Sequence, residues 1–167
     1  VLLLGPENWE GRLKDCFRTL LNPNHGSSEK EIGVPPLPVK RCLASSLHTV
    51  AHVLGPDITA ADIMPVFRDY FLRDTDESVR LNMIRNFPAL LTLLSPDQRS
   101  QYLVQWCETI RGDEVLGAMK RSATNPLVLN WRQRDYVSRC LPELMGLVDS
   151  VFAHTYLWPI LTQVLTD

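Results

Sequence analysis

Apolar residues recur with the same steps in three stretches of the chain. Val39, Leu43, Leu47, Val50 and Leu54 are separated by steps of 4, 4, 3 and 4. The same steps return 40 residues on, at Val79, Met83, Phe87, Leu90 and Leu94. They return again after a further 54, at Gln133, Val137, Leu141, Leu144 and Val148, with Gln133 the single polar residue. Steps of three and four place such side chains on one face of an α-helix. A second row, Val53, Leu93 and Leu147, widens the face, as in a helix packed on more than one neighbour. The spacing predicts three copies of one amphipathic helix.

The punctuation between the copies repeats as well. "LLGPE" at Leu3–Glu7, "VLGPD" at Val53–Asp57 and "LLSPD" at Leu93–Asp97 each end one helix and begin another. Ser95, Pro96 and Gln98 fit the N-cap, first position and N3 partner of a capping box. Thr59 with Asp62 suggests a similar start, and Asp149 or Ser150 is expected to cap the last helix. Partner helices are predicted over Glu7–Leu21, Thr59–Arg73, Asp97–Arg111 and Val151–Thr166, the first with an apolar face of Trp9, Leu13, Cys16, Phe17 and Leu20. Pro65 and Pro159 fall inside two of them and should kink them. Pro88 and Pro142 occupy matching sites in the copied helices, where the first copy has His48.

Antiparallel helix pairs with periods of 40 and 54 residues belong to HEAT-type arrays, whose units run to about 40–47 residues. The expected fold is all-α, an α-solenoid of stacked HEAT-type hairpins that share their apolar faces. One array is expected over 1–167, with hairpins at about 7–54, 57–94 and 97–148 and a partial one at 150–167. That makes about three full repeats plus partial terminal ones. Val1–Leu4 reads as the tail of a preceding second helix and Asp167 as the approach to another, so the expectation is an excerpt of a longer solenoid.

Composition narrows the function. An apolar fraction of 45% with 22% charged residues is that of an ordinary globular protein. A net charge of −2 lacks the basic stripe of a nucleic-acid module. No run approaches the ~18 apolar residues of a membrane span. Cys16, Cys42, Cys107 and Cys140 lie far apart and read as free thiols, which suits a cytoplasmic or nuclear setting. His48 and His52 stand one helical turn apart like a zinc-binding pair, but the Glu of H-E-x-x-H and a third ligand are missing. Gly5, Gly55 and Gly112 stand singly, as helix C-caps rather than a phosphate loop. Asp57, Asp62 and Asp69 read as caps or solvated positions. No metal, cofactor or catalytic group is expected, and the chain is read as a non-enzyme.

Longer strings carry a family resemblance. "NWRQRDYVSRCLPELMGL" (Asn130–Leu147) resembles the repeats of the scaffold A subunit of protein phosphatase 2A. "LGPDITAADIMPVFRDYFLRDTDESVRL", followed by "RSQYLVQW" and "NWRQR", is similar in order and spacing to the regulatory subunit 1 family of protein phosphatase 4. The resemblance covers nearly the whole chain except the loops. It implies a HEAT scaffold that binds a serine/threonine phosphatase catalytic subunit and directs its activity or substrate choice, with phosphoproteins as a further class of partner. It also implies an Asp and Arg/Lys ladder along the first turns of the second helices. Asp74 lies six residues before Arg80, the family's spacing, while Lys40 and Arg134 hold the matching positions without an acid six residues earlier.

The two departures from a 40-residue period, Asn22–Pro38 and Gly112–Asn130, both join the first helix to the second within a hairpin. Insertions gathered on one face often mark the binding face. Intra-unit turns contact partners in the scaffolds resembled, which assigns that role to Asp74, Asp76, Glu77, Asn130 and Trp131. For Trp131 the alternative is packing on a neighbouring hairpin. The competing function is a HEAT-repeat transport or assembly adaptor with an unrelated protein cargo. Such carriers tend to acidic inner surfaces, whereas the copied helices here begin with Lys40, Arg41, Arg80, Arg85, Arg134 and Arg139.

Overall fold

The computed structural model describes residues 6–21, 36–68, 74–111 and 131–166. Every regular element among them is helical. The intra-hairpin insertions, including the "EVLGAMKR" stretch, fall largely outside the described residues, as does Val1–Leu4. The chain divides into two compact units, 1–93 and 94–167.

In the first unit, the stretch expected to form one helix from Glu7 is broken. A single turn at Pro6–Asn8 leads into Trp9–Leu13, where Glu10 is extended and Gly11 has φ +88°. Only after this break does α1 run, over Lys14–Leu21. Glycine alone reaches such a φ without a Cβ clash, so Gly11 separates Trp9 from the helix it was expected to join. Trp9 is instead held from outside. Its indole Nε1–H donates to Asp62 Oδ2 at 2.8 Å, Lys14 Nζ approaches the same oxygen at 3.0 Å, and the ring meets Phe17 edge-on. Cys16 is exposed rather than part of the apolar face, and Asp62 is an internal acceptor rather than a solvated one.

Helix α2 spans Leu37–Leu54 and ends at Gly55, whose φ of +84° stops one helix and opens the next. Its N–H closes on Ala51 O and its carbonyl accepts from the Thr59 N–H. Helix α3 therefore starts at Pro56, before Thr59, and is built of Pro56–Ile58, a wide turn at Thr59–Ile63, and Met64–Val66. Thr59 is not its cap. It is fully buried, and its hydroxyl donates to Ala51 O across the α2–α3 corner. Pro65 is accommodated by the wide turn, in which the Met64 N–H reaches back five residues to Thr59 O. A proline lacks the N–H that would continue the ordinary ladder, and one widened turn absorbs the mismatch.

Helix α4, Glu77–Leu91, lies along α2. Ala44 is fully buried on α2, and its small side chain leaves the backbone within reach of Asn86. The Asn86 amide donates to Ala44 O at 3.1 Å and Ser45 O at 3.2 Å. Phe67 of the chain following α3 stacks on Phe87 of α4 with centroids 4.8 Å apart.

In the second unit α5 spans Pro96–Arg111, α6 spans Trp131–Met145, and α7 comprises Ser150–Phe152, a wide turn Ala153–Leu157, and Trp158–Thr166. The two expected caps form. Ser95 and Gln98 exchange backbone N–H and side-chain oxygen contacts, and Asp149 Oδ1 accepts the Phe152 N–H at 2.8 Å. Arg99 donates from its two guanidinium ends to Leu147 O and Leu94 O, tying the C-terminal turn after α6 to α5. Helix α7 packs on α6 and α5.

The repeated apolar row is the inner face. Leu47, Phe87 and Leu141, which share one place in the pattern, are 1%, 0% and 1% exposed. All five row positions of the second copy are buried, whereas Val39, Leu43 and Val50 of the first are half-buried. Among the described residues no helix is long and apolar enough to cross a membrane. Phe87→Ala should cost about 3–5 kcal/mol in chemical denaturation, the range for a fully buried aromatic. Val50→Ala should cost clearly less, and equal losses would show that Phe87 is not at the centre of the core.

Candidate functional site

The acidic turn ahead of α4 is knitted to α2 by three side chains. Asp76 is the N-cap, its Oδ1 accepting the Val79 N–H at 3.0 Å. Arg41 of α2 grips the same carboxylate with both prongs, Nε to Oδ1 at 3.1 Å and Nη2 to Oδ2 at 2.7 Å. Asp74 divides its two oxygens. Oδ1 accepts the Asp76 N–H at 2.9 Å, and Oδ2 accepts Lys40 Nζ at 2.5 Å. Planar fork-to-carboxylate pairing fixes orientation as well as distance, so the turn cannot slide along α2 without breaking it.

Arg80 takes a different place from the one its spacing suggests. Its Nη1 donates to the main-chain carbonyl of Asp74 at 2.5 Å, and the Asp74 carboxylate goes to Lys40 of the preceding copied helix. The Arg80 Nε is buried, with no hydrogen-bond partner among the described residues. Between the first two copies the ladder thus runs from Lys40 to Asp74, with Arg80 closing the loop onto its own turn. Arg80 offsets the unfavourable end of the α4 dipole, worth about 0.3–1 kcal/mol, through this contact to a carbonyl. Arg134 is half-buried in the first turn of α6.

Electrostatics follow the contacts. The Arg41 fork holds the Asp76 carboxyl below the usual carboxylate range; partial burial opposes this and the Val79 N–H reinforces it. Arg41 is raised in turn by its bond to Asp76. Lys14 is raised mainly by Asp62 and secondarily by Glu10. The Cys107 thiol is pushed up to about 12 by burial. His48 is half-buried, and the Thr49 hydroxyl lies 3.3 Å from its Nε2.

Of the five residues assigned to partner contact, three are described in the first unit and one in the second. The carboxylates of Asp74 and Asp76, with side chains 7% and 16% exposed, are committed to Lys40, Arg41 and the backbone. Glu77, half-buried, is the first residue of α4. Asn130 lies outside the described residues. Trp131, the first residue of α6, is 67% exposed, with the Arg132 guanidinium 5.1 Å from its ring centre. That places its ring in solvent rather than in a hairpin contact within the described residues. The Arg41–Asp76 fork was not read from the sequence, though a signal existed: Arg41 follows the ladder position Lys40, as Asp76 follows Asp74 at one residue's remove.

Two predictions test the turn. Asp76→Ala should lower stability by about 0.5–2 kcal/mol through loss of the cap, while Asp76→Asn should keep the cap and lose the ion pair. Because the folded Asp76 pKa is depressed, its pairing contributes fully above the ordinary carboxylate range and is lost as pH falls through the folded value. Urea melts should therefore show wild type and Asp76→Asn converging below about pH 4; a constant gap down to low pH would contradict the pairing. Lys40→Ala, which leaves Asp74 without its cation, should cost about 1–3 kcal/mol, measured the same way.

The family described as the protein phosphatase 4 regulatory subunit 1 middle domain matches residues 1–109. The serine/threonine-protein phosphatase 4 regulatory subunits 1 of Homo sapiens, Mus musculus and Rattus norvegicus are each 31% identical to it over 166 residues. Those matches cover 99% of this chain but 15% of each relative's length. No solved structure matches. With a match over residues 1–109 of 167, the chain belongs to the protein phosphatase 4 regulatory subunit 1 middle-domain family.

Proposed function

We propose that this chain is a segment of a non-catalytic regulatory subunit that binds a serine/threonine phosphatase catalytic subunit of the protein phosphatase 4 type and directs its activity or substrate choice. The observation that carries the reading is the likeness to the three relatives named as such subunits, which runs over 99% of the chain. In this reading the helices are HEAT-type hairpins at about 7–54, 57–94 and 97–148, with 150–167 the first half of another. The side-by-side packing of α2 and α4, both second helices of their hairpins, supports it. So does the burial of Leu47, Phe87 and Leu141 at one repeated position.

The contact to the catalytic subunit is carried on the intra-hairpin turns. Trp131 is the anchor, because a large exposed aromatic at a helix start loses much water-facing surface on binding. Glu77 and Asn130 flank such turns, while Asp74 and Asp76 serve by holding theirs in shape. Trp131→Ala in the full-length protein should weaken capture of the catalytic subunit by at least about tenfold, or about 1.4 kcal/mol, with an unchanged melting temperature. Undiminished capture would move the contact off Trp131. Failure of the unaltered full-length protein to capture that subunit would overturn the function.

A further inference from the structure

The capping box that opens α5 also presents a hydroxyl in a particular sequence setting. Ser95 is the one serine or threonine of this chain that a proline follows. Ser95, Pro96, Asp97 and Gln98 are all exposed, between a buried Leu94 and a half-buried Arg99. The residue before a proline is held extended, and Pro96 itself has no N–H. The Ser95 Oγ donates to Gln98 Oε1 at 3.1 Å and accepts the Gln98 N–H at 3.4 Å. The second of these contacts is long and both residues face water, so the hydroxyl is open to an approaching reagent.

The surroundings suit a negative charge that the Ser95 side chain does not itself carry. Arg99 Nη2 donates at 3.2 Å to Leu94 O, the carbonyl of the peptide bond that joins Leu94 to Ser95, and its Nη1 donates to Leu147 O at 3.1 Å. The guanidinium thus stands beside Ser95, within reach of a phosphoryl group on its oxygen. A guanidinium has five donors, so such a group need not displace either carbonyl. The N–H groups that open the 16-residue α5 are partly positive as well. Asp97 is the acid of this turn and opposes them, but it is exposed, where water and salt screen it.

We propose that Ser95 is a phosphorylation site for a proline-directed serine/threonine kinase, its phosphoryl group held by the first turn of α5 and by Arg99. In the transfer, Ser95 Oγ bonds the γ-phosphorus of a magnesium-bound nucleoside triphosphate while the bond from that phosphorus to the β,γ-bridging oxygen breaks. The diphosphate leaves with the bonding pair, and the hydroxyl proton passes to the carboxylate base of the kinase. Pro96 selects the enzyme. A kinase groove with no acceptor at the residue after the serine takes proline freely and leaves any other residue's N–H unpaired. The phosphoester can no longer donate to Gln98 Oε1, so that contact of the capping box is lost. Charged oxygens on the opening N–H groups and on Arg99 replace it. Modification therefore tightens the start of α5.

Recombinant full-length protein, treated with a cyclin-dependent or a mitogen-activated kinase and magnesium ATP and then read by mass spectrometry, tests the site. The folded protein should carry phosphate on Ser95, and Pro96→Ala should slow its appearance at least tenfold. Alanine is a good helix former, so this variant keeps α5. Amide hydrogen exchange in the opening turn of α5 should be several-fold slower in the phosphorylated protein than in the unmodified one. A folded protein that neither kinase modifies at Ser95, or a Pro96→Ala variant modified at the original rate, would overturn the site. Exchange that is unchanged or faster on phosphorylation would overturn the grip of α5 and Arg99 on the phosphate. None of these readouts involves the phosphatase catalytic subunit, so they stand or fall apart from the function proposed above.

Discussion

A helix with a large apolar side chain every three or four residues cannot rest with that face in water. Each such side chain gains roughly 1.5–3 kcal/mol on full burial, so the face must find a neighbour. In α4 the demand is met along the row, Val79, Met83, Phe87 and Leu90 all being buried. The packing of α2 along α4 and the stack of Phe67 on Phe87 are consequences of that one requirement.

Burial is non-directional, and polar contacts give it register. Asn86 reaches the carbonyls of Ala44 and Ser45 at one level of the α2–α4 contact, and the Lys40–Asp74 and Arg41–Asp76 pairs fix it at another. Surface ion pairs contribute little to stability taken singly. Here they work with a helix cap and an Asx-type turn, so that one carboxylate both starts α4 and ties it to α2.

The prolines show how a repeat tolerates residues that break ordinary helices. Pro65 and Pro159 each follow a widened turn, and Pro88 and Pro142 sit inside α4 and α6 with the helices continuing past them. A missing N–H is cheap where the neighbouring turn can open by one residue. Gly11 and Gly55 do the opposite work, breaking the chain where a sharp change of direction is needed.

Periodicity determined what depends on side-chain type and spacing alone: helical class, the inner face through Leu47, Phe87 and Leu141, the caps at Ser95 and Asp149, and the family through its ordered strings. Tertiary structure decided what depends on direction. Whether Asp62 faces solvent or Trp9, whether Asp74 answers Arg80 or Lys40, and whether Trp131 is covered are questions of which groups meet in space. Even the start of α3 was settled this way, because Thr59 caps or buries according to whether Ala51 O lies within its reach. Hydrophobic spacing is a one-dimensional signal that survives in the sequence, whereas the partner of a charge or a hydroxyl is chosen only after the helices have packed.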